Sequence, residues 1–160
     1  MAARSDEPKW LTEREMRAWR SYIIASRRLL EALEGDIAGH DLSMADYEVM
    51  AQLSEAPGRR MRMSELAELA MISKSRLSHR MKVMEKAGWI RREICAEDRR
   101  GSWAVMTERG WRAIVAAAPD HVASVRYRFI DQLTPKEQEE LSALFGKVTD
   151  ELRSQFKAEG

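Results

Sequence analysis

The chain has 160 residues, of which 44% are hydrophobic. This is enough apolar material for one domain with a sizeable core, so wholesale disorder is excluded. The net charge of +1 is unevenly distributed: residues 59–112 carry 14 Lys and Arg against 7 Asp and Glu, a balance of +7, and the rest carries 13 against 19, a balance of −6. A basic centre between acidic arms indicates a polyanionic partner, with a merely solvated basic surface as the alternative.

Cysteine, histidine and hydropathy patterns exclude further classes. Cys95 is the only cysteine, which excludes a disulfide framework and a multi-thiolate metal site. His40, His79 and His121 lack the spacing of metal ligands. No apolar run has the length of a signal sequence or a membrane span. We therefore expect a cytoplasmic protein with no cofactor, no metal and no membrane partner.

Two amphipathic helices are predicted at the start of the chain. The first covers residues 11–33, and a loop follows over residues 35–41. Ser43 is a suitable N-cap for the second helix, which Pro57 and Gly58 end. The apolar stripe of the first helix comprises Met16, Trp19, Ile23, Leu30 and Leu33.

Two short helices joined by a turn of about three residues come next. Ser64 is the predicted N-cap of the first, which ends near Met71. Ser73 is the predicted N-cap of the second, which ends at Gly88. Apolar side chains at helical spacing predict the inward face of the second helix, and they are Leu77, Met81 and Met84.

A hairpin and two long helices complete the chain. Alternating residues over 89–94 and 103–106 flank a polar turn and predict two β-strands. Thr107 is positioned to cap a helix that reaches about Ile130, with a kink expected at Pro119. Residues 134–137 form a capping box for the last helix. Its stripe comprises Leu141, Leu144, Phe145, Val148 and Leu152.

This order of elements predicts a mainly α fold with a small β-hairpin wing. A winged helix-turn-helix DNA-binding domain over residues 43–107 would be flanked by dimerisation helices, with an arm and helix over residues 1–42 and two helices over residues 108–160. In such a domain one helix enters the major groove, and the wing reaches along the backbone toward the minor groove. The DNA-reading surface is expected between about Ser64 and Met106.

The second short helix carries the predicted DNA contacts. Its outward side chains can donate hydrogen bonds to phosphates or base edges, and no acidic residue occurs between Ser73 and Met84. An ordinary solvated face, the alternative, usually mixes both signs of charge. The predicted contacts, including the cap, are Ser73, Lys74, Ser75, Arg76, Ser78, His79, Arg80 and Lys82.

The wing has the same basic bias. Arginines cluster on the hairpin at positions 91, 92, 99 and 100, and we predict DNA contacts from Arg91, Asp98, Arg99 and Arg100. Asp98 either holds a neighbouring guanidinium in one orientation for the minor groove or only begins the turn. Both interpretations remain open from the sequence.

The segments SELAELAMISKSRLSHRMKVMEKAGWIRRE and EDRRGSWAVMTERG resemble the MarR family of winged-helix regulators, and the resemblance extends over residues 19–152. Asp98 and Arg100 align with the family's wing motif. The resemblance implies a homodimer that binds double-stranded DNA at a pseudo-palindromic operator. It also implies release from DNA by a small aromatic or phenolic effector, so we expect a ligand-responsive repressor and no enzyme activity.

The remaining candidates are weaker. An effector pocket is assigned to Trp19, Tyr22, Tyr47 and Trp111, although such aromatic residues more often lie in a core or a dimer interface. Redox sensing through Cys95 is an alternative function, yet a thiol without activating neighbours is usually inert. A winged-helix module that binds protein is the other alternative, and the cationic run between Ser73 and Met84, which no acidic residue interrupts, argues against it. No catalytic set of side chains is apparent.

Overall fold

The helices and strands follow the predicted order, with one additional short strand. A computed structural model describes residues 8–70, 72–94 and 101–158. Its helices and strands are α1 (Glu13–Ala38), α2 (Met44–Glu55), β1 (Arg60–Arg62), α3 (Met63–Leu69), α4 (Lys74–Lys86), β2 (Ile90–Ile94), β3 (Ser102–Met106), α5 (Glu108–Arg128) and α6 (Pro135–Ala158). The mainly helical fold with a β-wing is confirmed.

Four helix starts are confirmed by their cap hydrogen bonds. The side chains of Ser43, Ser73 and Thr107 accept from backbone amides at the starts of α2, α4 and α5. At the start of α6, the Thr134 amide donates to the Glu137 carboxylate at 2.8 Å, and the Glu137 amide returns a bond to the Thr134 hydroxyl. These contacts are local, so the sequence alone can predict them.

Two predicted boundaries are wrong. Helix α1 runs through Gly35 to Ala38 in place of the predicted loop. Helix α3 begins at Met63, so Ser64 lies inside it and does not cap it. The cause is β1, a strand that the sequence pattern does not predict: Arg62 still pairs with Trp103 in the sheet, and the helix starts at once after it. Helix α5 is continuous through Pro119, and the kink expected at that residue stays a prediction.

The core lies where α2, α3, α4 and the sheet meet. The sheet has the order β1-β3-β2 and is antiparallel throughout. Leu77, Met81 and Met84 of α4 are fully buried, which confirms the predicted inward face. Helix α4 ends before Gly88, whose φ of +75° suits glycine and turns the chain into β2. The core therefore fixes which side of α4 faces solvent.

Helix α5 starts in close contact with the chain that links α4 to β2. A Cβ at Gly110 would lie 2.9 Å from the Trp89 carbonyl carbon, nearer than real Cβ atoms come to backbone. The Thr107 hydroxyl donates to the Gly88 carbonyl at 2.7 Å. This junction joins the long helix to the base of the wing.

The two terminal helices meet beside the domain and keep apolar side chains exposed. The rings of Tyr22 and Phe145 are 5.4 Å apart, and they join α1 to α6. Much of the predicted α6 stripe lies on the surface of the single chain, namely Leu144, Phe145, Val148 and Leu152. Such a stripe on an isolated chain indicates an interface.

Within residues 8–70, 72–94 and 101–158, no helix combines the length and the apolarity needed to cross a bilayer. The same part of the chain contains no cluster of three or more His, Cys, Asp or Glu side chains suited to a metal ion.

Candidate nucleic-acid interface

Helix α4 presents a polar, basic face to solvent. The Ser73 hydroxyl caps it by accepting from the Arg76 amide at 3.3 Å and lies 3.1 Å from the Ser75 hydroxyl. Six of the eight predicted contacts are exposed, and they are Ser73, Lys74, Ser75, Arg76, His79 and Lys82. Cations and hydroxyls on an exposed helix can donate to phosphates and to base edges.

Arg80 is half-buried and tied to another helix. Its guanidinium donates to the Ser43 hydroxyl at 3.2 Å and to the Asp46 carboxylate at 3.3 Å, both at the start of α2. Asp46 is only 5% exposed and also accepts from Ser43 at 2.6 Å. A buried carboxylate needs such partners. Arg80 therefore fastens α4 to α2, a role that its place in the sequence does not predict.

Ser78 is also half-buried, and it joins α4 to the wing. The Arg92 guanidinium donates to the Ser78 carbonyl at 2.8 Å and lies 3.4 Å from the Glu85 carboxylate. One arginine of β2 thus holds two positions of α4. Arg91, next to it, is exposed and donates to Glu93 at 2.8 Å. The wing base and α4 therefore form one unit with fixed relative orientation.

The tip of the wing is not among the described residues. Cys95, Asp98, Arg99 and Arg100 lie outside them, so the predicted minor-groove contacts, the role of Asp98 and redox sensing all stay predictions. The predicted contacts that are described lie on α4 and at Arg91.

A cleft of about 530 Å³ lies between α2 and α4. Its size is typical of small-molecule sites. Arg76, His79 and Arg80 line one side, and Val49 and Ile72 add apolar surface. Glu48 also lines it, and partial burial together with Glu34 raises the pKa of that carboxyl. A molecule in this cleft would touch the basic face of α4.

The four aromatic residues assigned to an effector pocket make different ring contacts in the single chain. Trp19 and Tyr22 are neighbours on α1, with ring centroids 6.0 Å apart, and both are exposed. Tyr22 contacts Phe145 of α6. This pair belongs to the surface formed by the terminal helices.

Tyr47 and Trp111 contact other residues than the pair on α1. Tyr47 lies in the core with its ring 4.3 Å from that of His121, and burial raises the pKa of Tyr47 and lowers the pKa of His121. Trp111 packs under the guanidinium of Arg59 at 3.9 Å. The effector pocket assigned to these four aromatic residues therefore stays a prediction.

Basic residues of β1 lie on the wing sheet, although the sequence pattern does not place them there. The Arg60 guanidinium carbon lies 4.3 Å from the ring centroid of Trp103. Arg62 stacks on the same ring at 5.0 Å. The run RRMR is visible in the sequence, but without β1 there is no reason to place it on the wing sheet.

The second helix of this helix-turn-helix has an exposed basic face, and the β-hairpin that follows packs against it. This arrangement defines a winged helix-turn-helix DNA-binding protein. A family model described as the MarR family matches residues 40–101. The HTH-type transcriptional regulator PecS of Dickeya dadantii is 32% identical over 126 residues, which cover 76% of this chain and 73% of that protein. The chain belongs to the MarR family of transcriptional regulators, which are not enzymes.

Solved structures agree with this assignment. The crystal structure of AbsC, a MarR family transcriptional regulator from Streptomyces coelicolor, superposes with a TM-score of 0.89 and 47% identity, covering 92% of this chain and 99% of that one. A second MarR family regulator from the same organism, solved in complex with DNA, has a TM-score of 0.88 and 40% identity, covering 91% and 92% of the two chains.

Proposed function

We propose that the protein is a homodimeric repressor that binds a pseudo-palindromic operator through α4 of each subunit and is released by a small aromatic effector. The exposed basic face of α4 carries the proposal, since no acidic residue occurs between Ser73 and Met84. The relative solved with DNA supports it. Where the operator overlaps a promoter, the bound protein represses transcription from that promoter. We place this activity in the cytoplasm.

The surface of the terminal helices supports a homodimer. Leu144 is 60% exposed, and Trp19 on α1 is 53% exposed. Two copies that cover these side chains would hold their α4 helices at a fixed separation, as half-sites about one helical turn apart require.

The two alternatives have less support. A protein-binding winged helix does not need an exposed basic face such as that of α4, and the relatives are transcriptional regulators. Redox sensing rests on Cys95 alone.

Arg76→Ala and Arg80→Ala separate DNA contact from helix positioning. We expect Arg76→Ala to weaken binding to an operator selected from random DNA by about 1–3 kcal/mol with unchanged stability, because Arg76 is exposed. Arg80→Ala should lower both affinity and stability, the latter by about 1–3 kcal/mol, because Asp46 loses a partner. Fluorescence anisotropy and thermal unfolding measure the two effects.

Lys82→Ala serves as the comparison for these variants. If Lys82 contacts only phosphate, its removal should lower the slope of log affinity against log salt by about one unit on all sequences. Native operator affinity in both Arg76→Ala and Lys82→Ala would refute the assignment of α4 as the DNA-binding helix.

The cleft between α2 and α4 is the proposed effector site. Arginines can pair with a carboxylate, and the partly exposed Ala70 and Ile72 offer apolar surface for an aromatic ring. We expect a compound from a panel of benzoates and phenols to bind the free protein and to release the operator. Titration calorimetry and anisotropy provide the readouts.

Ala45→Phe is the variant that tests the location of this site. Ala45 lines the cleft on the α2 side, away from α4, so a larger side chain should block the ligand and leave operator binding intact. Equal release from the wild type and from Ala45→Phe would exclude this cleft as the effector site.

A further inference from the structure

Two adjacent residues of α5 contact two different parts of the molecule. The Asp120 carboxylate lies 2.8 Å from the imidazole nitrogen of His40, which follows the end of α1. The next residue, His121, faces α2, and its ring centroid lies 4.3 Å from that of Tyr47. Helix α1 belongs to the proposed dimer surface, and α2 belongs to the DNA-binding domain. This turn of α5 therefore lies where the two parts meet.

Only the neutral imidazole of His121 suits these surroundings. His121 continues the buried side of α5, one turn after the fully buried Ala117. Its Nδ1 atom is buried and has no hydrogen-bond partner among the described residues. A neutral imidazole can leave one nitrogen without a proton, whereas the charged form carries an N–H at both. Protonation would thus place a buried donor without an acceptor beside Tyr47, which costs free energy.

The charged groups on the neighbouring helices do not offset this cost. Burial lowers the pKa of His121. Burial and a nearby carboxylate raise the pKa of the Tyr47 phenol, so that group stays neutral. The two carboxylates closest along α1 and α5 already contact a cationic or imidazole group. The titratable and charged groups of these helices around His121 include His40 and Asp36 at α1, Tyr47 and Glu55 on α2, and Asp120 and Arg128 on α5.

Acid is expected to weaken the contact between α5 and α2. A His121 side chain detached from Tyr47 would titrate near the ordinary histidine pKa of about 6.5, above its pKa in the packed contact. The stability that neutral His121 contributes is therefore present above about pH 6.5 and is lost as the pH falls through the lowered pKa. Protonation of His40 acts in the other direction, because it completes an ion pair with Asp120 and holds α5 to the end of α1.

We propose that His121 makes the contact between α5 and α2 sensitive to pH, so that acid loosens the DNA-binding domain from the terminal helices and lowers operator affinity. The effect on DNA rests on the proposed operator binding, whereas the loosening itself does not. Two α4 helices keep the separation of the half-sites only while each DNA-binding domain is fixed to its terminal helices. A looser contact between α5 and α2 removes that fixed separation.

The test compares the wild type with His121→Phe, in which a ring that cannot be protonated keeps the contact with Tyr47. Fluorescence anisotropy gives operator affinity at about pH 7.5 and about pH 5.5, on either side of the ordinary histidine pKa. We expect the wild type to lose about tenfold in affinity relative to His121→Phe, the change that one unit of pKa difference produces. A protonated His79 on α4 attracts phosphate equally in both proteins, so its effect cancels in this ratio.

His40→Gln is the matched control, because it removes the histidine on the other side of the same turn of α5. This variant should keep the loss of affinity in acid. His121→Gln replaces His121→Phe if the latter folds poorly. Equal pH dependence in the wild type and the His121 variants would overturn the proposal.

Two measurements on the wild type alone test the loosening without DNA. Nuclear magnetic resonance should show that His121 titrates below the ordinary histidine pKa of about 6.5. Hydrogen exchange, corrected for its intrinsic pH dependence, should show lower protection of α2 in acid. Titration of His121 above that value, or unchanged protection of α2, would also overturn the proposal. Failure of the wild type to bind any operator at about pH 7.5 would instead refute the proposed function.

Discussion

Leu144→Glu/Val148→Glu is expected to convert the protein to a monomer and to lower operator affinity by about 100-fold or more. Both side chains lie on the exposed apolar stripe of α6. Glutamates there would be buried without partners in a dimer interface. A dimer gains its affinity from two linked half-site contacts, and such linkage contributes about 10²–10⁴-fold. Light scattering and anisotropy measure the two effects.

Ala143→Glu/Gly146→Glu is the matched control for this experiment. It adds the same charge to the same helix but on the side away from the stripe, and a Cβ at Gly146 would meet nothing within 4 Å. This variant should remain a dimer and bind the operator. A dimeric Leu144→Glu/Val148→Glu protein with native affinity would show that the α6 stripe is not the interface.

Gly110→Ala is expected to destabilise the protein by about 3 kcal/mol. The added Cβ would overlap the Trp89 carbonyl group, which is backbone and cannot move aside without displacing the junction between α4 and β2. Overpacking of this kind costs about 1–3 kcal/mol or more. Urea unfolding at one fixed protein concentration gives the change in free energy, since the stability of a dimer depends on concentration.

Gly35→Ala, at another helical glycine, is expected to increase stability. Nothing lies within 4 Å of a Cβ at Gly35, so alanine should stabilise α1 by about 0.5–1 kcal/mol through its higher helix propensity. If Gly110→Ala is as stable as the wild type, the close approach of α5 to Trp89 is wrong.

The sequence by itself determined the starts of α2, α4, α5 and α6 and the inward face of α4. Ser43, Ser73 and Thr107 cap their helices through contacts within three residues. The spacing of Leu77, Met81 and Met84 sets which side of α4 is buried. These features follow from short-range geometry and from periodicity, so the class of fold and the buried side of α4 could be predicted.

Only the tertiary structure decided which polar residues of α4 are exposed and which form hydrogen bonds to other helices and strands. Arg76 and Arg80 look equivalent in the sequence, but Arg80 meets Asp46, a residue 34 positions away. The sequence pattern likewise does not predict β1, because three residues are too few to show alternation and their pairing with β3 spans more than 40 positions. Contacts between distant segments depend on how helix faces and strands converge, which neither local spacing nor composition specifies.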